Sequence, residues 1–401
     1  MWLKIKPEEP LILGDVRAGS QFLSSMPYIP GRVLRGAWAE WLLTHGQEDI
    51  PSTVERIRIG NFFPTVEWRP IHYALPFPLS ALTCKRRSGF RLEPHPDNRG
   101  HGIVDTLLPQ LAYHLIKKSG ANMGAPFTLI CRECGDRMEP ISGFYTLYHD
   151  NATDRYVQSR LQYHAQTKVG LSRYRRASAE QMLYTASALS PVAEHPYSGG
   201  KADIVFVGRV HGAKEDVAAL IEGVNHVAIG ALHTRGYGRV RMEEVDVEGL
   251  PDIEERVTRF NELLAYCWQD LKHLANNAGD LPDKPEDIYF SVDLLAPGVF
   301  RRGGVPTLIP TLRINGQRLE PLWWMTRPDF ASGWSSAWGL PKPTNLAARM
   351  GSVYVFRWEK DFDTLIAALE RLESQGIGQR CDEGFGECLI CHPFHQEVEE
   401  K

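Results

Sequence analysis

Residues 228–242 read Ala-Ile-Gly-Ala-Leu-His-Thr-Arg-Gly-Tyr-Gly-Arg-Val-Arg-Met, and residues 376–390 read Gly-Ile-Gly-Gln-Arg-Cys-Asp-Glu-Gly-Phe-Gly-Glu-Cys-Leu-Ile. Working outward, both stretches have the same surroundings. Ahead of the first, Ile204 to Val210 is a β-branched run, and Val217, Leu220, Ile221 and Val224 then recur at helical spacing. Ahead of the second, Val353 to Trp358 is strand-like. Asp363 is placed to cap a helix whose stripe is Leu365, Ile366, Leu369 and Leu372 and which stops at Gly376. After each glycine loop the sequence turns back into a strand. Two copies of strand, helix, glycine loop, strand predict an α+β protein built from two ferredoxin-like, RRM-like units.

The opening strands are Trp2 to Lys6 or Pro10 to Leu13 in the first unit and Ile288 to Leu295 in the second. Apolar residues from Ile253 to Leu274 predict a connecting helix. The domains are therefore expected at 1–250, with an insertion over roughly 51–197, and at 285–401, with 251–284 as helix and linker between them. The chain has 401 residues, 45 Lys and Arg against 49 Asp and Glu, and a formal net charge of −4. That balance excludes a protein that grips nucleic acid by bulk positive charge, so any such binding rests on local patches. An odd count of seven cysteines, three in one region with metal-like spacing, favours a reducing, cytoplasmic setting.

The glycine loops carry the chemistry. Glycine admits backbone angles closed to other residues, and exposed amides beside cations suit phosphates. The first loop offers Arg235, Gly236, Tyr237, Gly238 and Arg239; the second offers Gly378, Arg380, Gly384, Phe385 and Gly386. Cations next to an aromatic ring suit single-stranded RNA, whose bases stack while its phosphates are neutralised. Pro30 and Gly31 open a helix with Arg32 and Arg35 in its first turn, where cations oppose the helix dipole and a bound phosphate would explain them. Lys168, Arg173 and Arg175, interleaved with Tyr163 and Tyr174, form a further basic cluster, and Lys85, Arg86, Arg87 and Arg91 another. Trp323, Trp324, Trp334 and Trp338 are candidates for a protein contact.

Cys131 and Cys134 form a C-x-x-C knuckle followed by glycine. With Cys84 and a histidine, His101 or else His95, they compose a closed structural zinc site. Cys388 and Cys391 lie three apart on a strand, so their side chains point to opposite faces and they are read as structural.

The run Ile29-Pro-Gly-Arg-Val-Leu-Arg-Gly-Ala37, followed by the paired loops, resembles the RAMP superfamily of CRISPR-associated proteins. With Leu82 to Lys85 and the Cys131 knuckle, it is most similar to the large, Cas-five-like RAMP subunit of subtype III-D effector complexes. The resemblance implies a subunit that holds the 5′ handle of the CRISPR RNA, beside the large polymerase-cyclase subunit and the backbone RAMP subunits. Backbone RAMP subunits cut target RNA with an aspartate in the loop before their Pro-Gly helix. Here that loop holds no acid after Asp15. A non-catalytic RNA-binding protein is therefore expected. An endoribonuclease processing CRISPR precursor RNA through His45 or His233 is the alternative.

Overall fold

The computed structural model describes residues 1–14, 22–68, 70–150, 153–172, 174, 177–196, 198–276, 278–335 and 339–396. In chain order the elements that position the site begin with β1 (Trp2–Pro7), α1 (Gly31–Thr44) and β2 (Arg58–Val66). A long excursion follows, with β3 (Ala81–Cys84), β4 (Ile103–Asp105), α2 (Leu107–Lys118) and β5 (Met138–Pro140). It continues into a hairpin of β6 (Tyr163–Ser172) and β7 (Ala177–Leu189). The chain returns through β8 (Lys201–His211), α3 (Lys214–His226) and β9 (Val240–Glu244), then crosses on α4 (Ile253–Lys272). The second unit has β10 (Ile288–Leu294), β11 (Trp323–Met325), β12 (Pro328–Ala331), β13 (Asn345–Ala348), β14 (Val353–Trp358), α5 (Phe362–Gln375) and β15 (Cys388–Ile390).

Both units are mixed α and β around antiparallel sheets. The first sheet runs β2–β8–β1–β9, with Ile5 opposite Phe206 on one side and Met242 on the other. The second runs β11–β14–β10–β15, with Val292 between Tyr354 and Ile390. Strand order matches position for position, and the duplicated sequence pattern is the reason. In β1 alone, Leu3 and Ile5 are buried, while Lys4 and Lys6 face Glu67 on the other side. Leu34, Trp38 and Leu42 of α1 pack with Val217, Leu220 and Val224 of α3 over that sheet. Among the described residues the second unit has no helix in the place of α1; short strands occupy residues 300–319 instead.

Two expectations need amending. Arg58–Val66 falls within the stretch expected as insertion but pairs along β8, because it supplies the apolar edge that the first sheet needs. α5 is capped by Asp361, whose carboxylate accepts from the Thr364 amide, so Asp363 lies one turn position inside the helix. The excursion is anchored by its own apolar helix: Leu107, Leu108 and Leu111 of α2 join Val257, Phe260 and Leu264 of α4 in the second unit's cluster.

Buried charges stitch the units together. Glu373 of α5 accepts from Arg209 of β8 at 2.6 Å and from Arg256 of α4 at 3.1 Å. Burial would raise its carboxyl, but the two guanidinium groups hold it below the usual range. The buried Glu387 carboxylate accepts from the Asn61 amide at 2.7 Å. His395 bridges Asp105 and Asp293 at 2.7 Å each. Although burial opposes its charge, the two carboxylates raise it to about 10.

Candidate nucleic-acid interface and metal centre

The two glycine loops superpose as hydrogen-bond patterns. Leu232 and Arg380 both take the left-handed conformation at φ 62°, and each is followed by one 3₁₀ turn, His233–Arg235 and Cys381–Glu383. The Ile229 amide donates to the Gly238 carbonyl at 2.9 Å, as Ile377 does to Gly386. The Gly238 amide donates to Pro10 at 3.1 Å, and Gly386 to Pro297 at 3.0 Å. Ala231 donates to Ile12 and Gln379 to Val299, both at 2.9 Å. A β-carbon on Gly238 would lie 2.4 Å from the Ile229 oxygen, and one on Gly386 would lie 1.9 Å from the Ile377 oxygen. Glycine is required here because a second backbone occupies the space.

This geometry corrects the expected role of the loops. The amides of Ala231, Arg235 and Gly238 are engaged by carbonyls of the protein, so the loop presents side-chain charge in place of bare amides. The aromatics are not stacking platforms. Tyr237 is 5% exposed against Ile12, Ala186 and Ala188, and Phe385 is 2% exposed against Val299, Ala331 and Ala347. Each ring is a peg lodged under two alanines of an extended hairpin, β7 in the first unit and β12–β13 in the second. No sequence signal marked those alanines, since they lie well upstream of the rings, on separate strands, in both units.

Around this shared frame the charges differ. At the first loop, Arg235 and Arg239 are exposed and neither side chain has a carboxylate partner among the described residues. Arg235 donates to the Tyr184 hydroxyl. Lys168 lies 4.5 Å from the Tyr237 ring centre, and the Tyr237 hydroxyl donates to Gln166 at 2.7 Å. At the second loop, Arg380 binds Glu383 at 2.8 Å and Lys342 binds the same carboxylate at 2.8 Å. Burial acts against it, yet those contacts bring Glu383 down to about 2.

Arg32 and Arg35 of α1 meet the second loop. Arg32 sits 5.5 Å from the Phe385 ring, with Arg380 at 4.7 Å from it, and Arg35 reaches Asp382 at 3.5 Å. The first helical amide, Gly31, donates to Asn61 Oδ1 at 3.2 Å. Beside this joint a cavity of about 340 Å³ is lined by Arg313, Asn315, Arg371, Gln375 and Gly376 to Gly378. Tyr174 is exposed; Arg173, Arg175, Asp15 and Trp338 lie outside the described residues. Trp324 and Trp334 are exposed, and Trp323 packs on His114. His45 Nδ1 is 2.9 Å from the Trp41 carbonyl, and His233 Nε2 is 2.7 Å from the Gly230 carbonyl.

Cys84, His101, Cys131 and Cys134 converge with all ligand atoms within 4.8 Å of one another, a group that could hold a metal ion. Cys84 ends β3, opposite Met138 of β5. Cys131 and Cys134 sit on a turn closed by the Gly135 amide donating to Cys131, and the His101 amide donates to Arg87 at 3.0 Å. Cys84 and Cys134 sulfurs are 3.5 Å apart, and Cys131 Sγ is 3.6 Å from His101 Nδ1. A zinc tetrahedron with ~2.3 Å metal–sulfur bonds has edges of roughly 3.8 Å, so the donor set fits. His95 is turned instead toward Asp97 and Gly199. Cys388 and Cys391 are fully buried, and burial pushes both thiols up, Cys391 to about 12.

Residues 280–393 match the family model described as CRISPR-associated protein (Cas_Cmr3). The match falls on the second unit and bears out the resemblance to CRISPR-associated RAMP-like subunits drawn from the sequence. No curated protein matches the chain. Among solved structures it is similar to a chain of the type III-B Cmr-beta complex bound to cognate target RNA and AMPPnP, at 12% identity and TM-score 0.43, over 88% of this chain and 86% of that one. It is also similar to a chain of a Csm3–Csm4 subcomplex of the type III-A CRISPR-Cas interference complex, at 14% identity and TM-score 0.35, over 90% and 93%. A chain of a Csm1–Csm4 cassette in complex with pppApA gives 14% identity and TM-score 0.30, over 88% and 86%. No described helix is long and apolar enough to cross a membrane.

Proposed function

We propose that this chain is a non-catalytic RNA-binding subunit of a type III CRISPR effector complex, of the subtype III-D large RAMP kind, that holds the 5′ handle of the CRISPR RNA. The observation that carries the reading is the first glycine loop. Arg235 and Arg239 stand exposed there with no carboxylate partner among the described residues, at the root of a long hairpin that adds Lys168 and Tyr184. The family match over residues 280–393 supports the setting. Strand orders β2–β8–β1–β9 and β11–β14–β10–β15 support reading both units as ferredoxin-like, the second without its first helix. The Cys84, His101, Cys131, Cys134 group supports a structural zinc in the excursion of the first unit. The large polymerase-cyclase subunit and the backbone RAMP subunits are the proposed neighbours, with exposed Trp324 and Trp334 as contacts.

The non-catalytic part rests on His45 and His233, each engaged with a backbone carbonyl and neither, among the described residues, hydrogen-bonded to a second acid–base group. The test is fluorescence anisotropy with labelled handle RNA, run alongside a cleavage gel. Arg235→Ala with Arg239→Ala should weaken binding at least tenfold at physiological salt, with the RNA left intact. Unchanged affinity sinks the RNA-binding role, and cleavage abolished by His233→Ala sinks the non-catalytic one. Metal analysis finding less than about half a zinc per folded chain removes the metal.

A further inference from the structure

The excursion that carries the metal ligands also carries a charge pattern that metal holding alone does not explain. Lys85, Arg87, Arg132 and Arg137 are all exposed, and none of the four side chains has a carboxylate partner among the described residues. Each is tied to the ligand set by the backbone. Lys85 follows Cys84 and Arg132 follows Cys131. The Arg87 carbonyl accepts from His101, and the Arg137 carbonyl accepts from Lys85 at 3.2 Å. Nearby, Arg86 and Arg91 are already matched by Asp136 and Glu133. Three thiolates and one histidine around a divalent ion leave a single net negative charge, which four unpaired cations exceed. A chain with a formal net charge of −4 thus concentrates positive charge on one small, metal-organised surface. Leu92 and Ile130, 67% and 66% exposed, flank it with apolar area of the kind that bases cover.

We infer that this knuckle is a second RNA-binding surface, gripping the phosphate backbone of a strand independently of the glycine loops. The ligand class, RNA, rests on the function proposed above; the site does not. Metal and RNA binding are coupled, because the ion fixes the two segments on which the four cations ride, one beside Cys84 and one beside Cys131 and Cys134.

The experiment uses the full chain and a 5′-labelled single-stranded RNA. Lys85→Gln, Arg87→Gln, Arg132→Gln and Arg137→Gln are combined, and metal content and thermal melting are checked against wild type. Affinity is expected to fall at least tenfold, and the slope of log K against log salt to flatten by roughly 3, as loss of four single-strand phosphate contacts requires. Unchanged affinity and slope overturn the inference, as does loss of binding to a neighbouring protein subunit with RNA affinity intact. If the combined variant loses its metal or fold, photo-crosslinking of wild type to 4-thiouridine RNA decides. Crosslinks in peptides 84–101 or 131–137 support the surface, and crosslinks confined to the hairpin and glycine loops overturn it. Weakening by the knuckle variant with no effect of the Arg235 and Arg239 pair upholds the knuckle while removing the loop.

Discussion

The two glycine loops share a backbone and divide the work. In both, the same carbonyls take the same amides, the same left-handed residue precedes the same 3₁₀ turn, and an aromatic is pegged under two alanines. Around that frame the first loop leaves its guanidinium groups without a carboxylate partner among the described residues, Arg235 donating only to the Tyr184 hydroxyl. The second ties Arg380 and Lys342 to Glu383 and meets Arg32 and Arg35 of the other unit. Backbone sterics set which positions are glycine, whereas electrostatics set what a loop contacts. A glycine–aromatic–glycine motif therefore identifies the turn and leaves its partner to be read from the neighbouring charges.

The largest effect tests the frame itself. Gly386→Ala should cost more than about 4 kcal/mol, since its β-carbon would stand 1.9 Å from a backbone oxygen that cannot withdraw. Gly238→Ala, at 2.4 Å, should follow closely. Gly236→Ala meets nothing within 4 Å and carries only the left-handed penalty of about 1–2 kcal/mol. Urea denaturation of the three variants checks the order. A Gly386→Ala protein as stable as Gly236→Ala would mean that the shared frame is not held by close packing.

Next in size is the buried-charge joint between the two units. Glu373→Gln leaves Arg209 and Arg256 buried with a neutral partner, a loss of about 3 kcal/mol by chemical denaturation. His395 gives the same junction a pH signature. Its folded pKa is raised to about 10, above the ordinary value of 6.5. The stability it contributes is therefore complete below about pH 6.5 and is lost as pH rises toward 10. Unfolding free energy measured across that window should decline, and His395→Gln should remove the decline. A variant that keeps the wild-type slope would place the titration elsewhere.

These joints show where the sequence speaks and where it is silent. The repeat was legible because glycine spacing is a backbone requirement. The metal group was legible because a two-residue thiol spacing and a following glycine form a local turn. The burial of Tyr237 and Phe385 was not legible, since the alanines that cover them come from hairpins far upstream. Nothing in the sequence singles out Arg137 as a neighbour of Lys85, because that relation exists only once β3 and β5 pair. Glu373 did leave a trace. It stands four residues after Leu369 on the buried stripe of α5, and an acid at such a position calls for a buried cation.

The smallest predicted difference sharpens the comparison at a single atom. Tyr237 and Phe385 occupy equivalent sockets, but the tyrosine hydroxyl reaches out to Gln166 on β6, whereas Phe385 is enclosed by Val299, Ala331 and Ala347. Tyr237→Phe gives up one hydrogen bond at the socket's rim and should cost about 1 kcal/mol. Its effect on RNA affinity should be under twofold, because Lys168 retains a ring to lie against. The reverse change, Phe385→Tyr, puts a hydroxyl into a socket closed by Val299, Ala331 and Ala347 and should cost about 1–3 kcal/mol. Thermal melts of the two variants, side by side, check the asymmetry. Equal losses would mean that the first socket is as closed at its rim as the second.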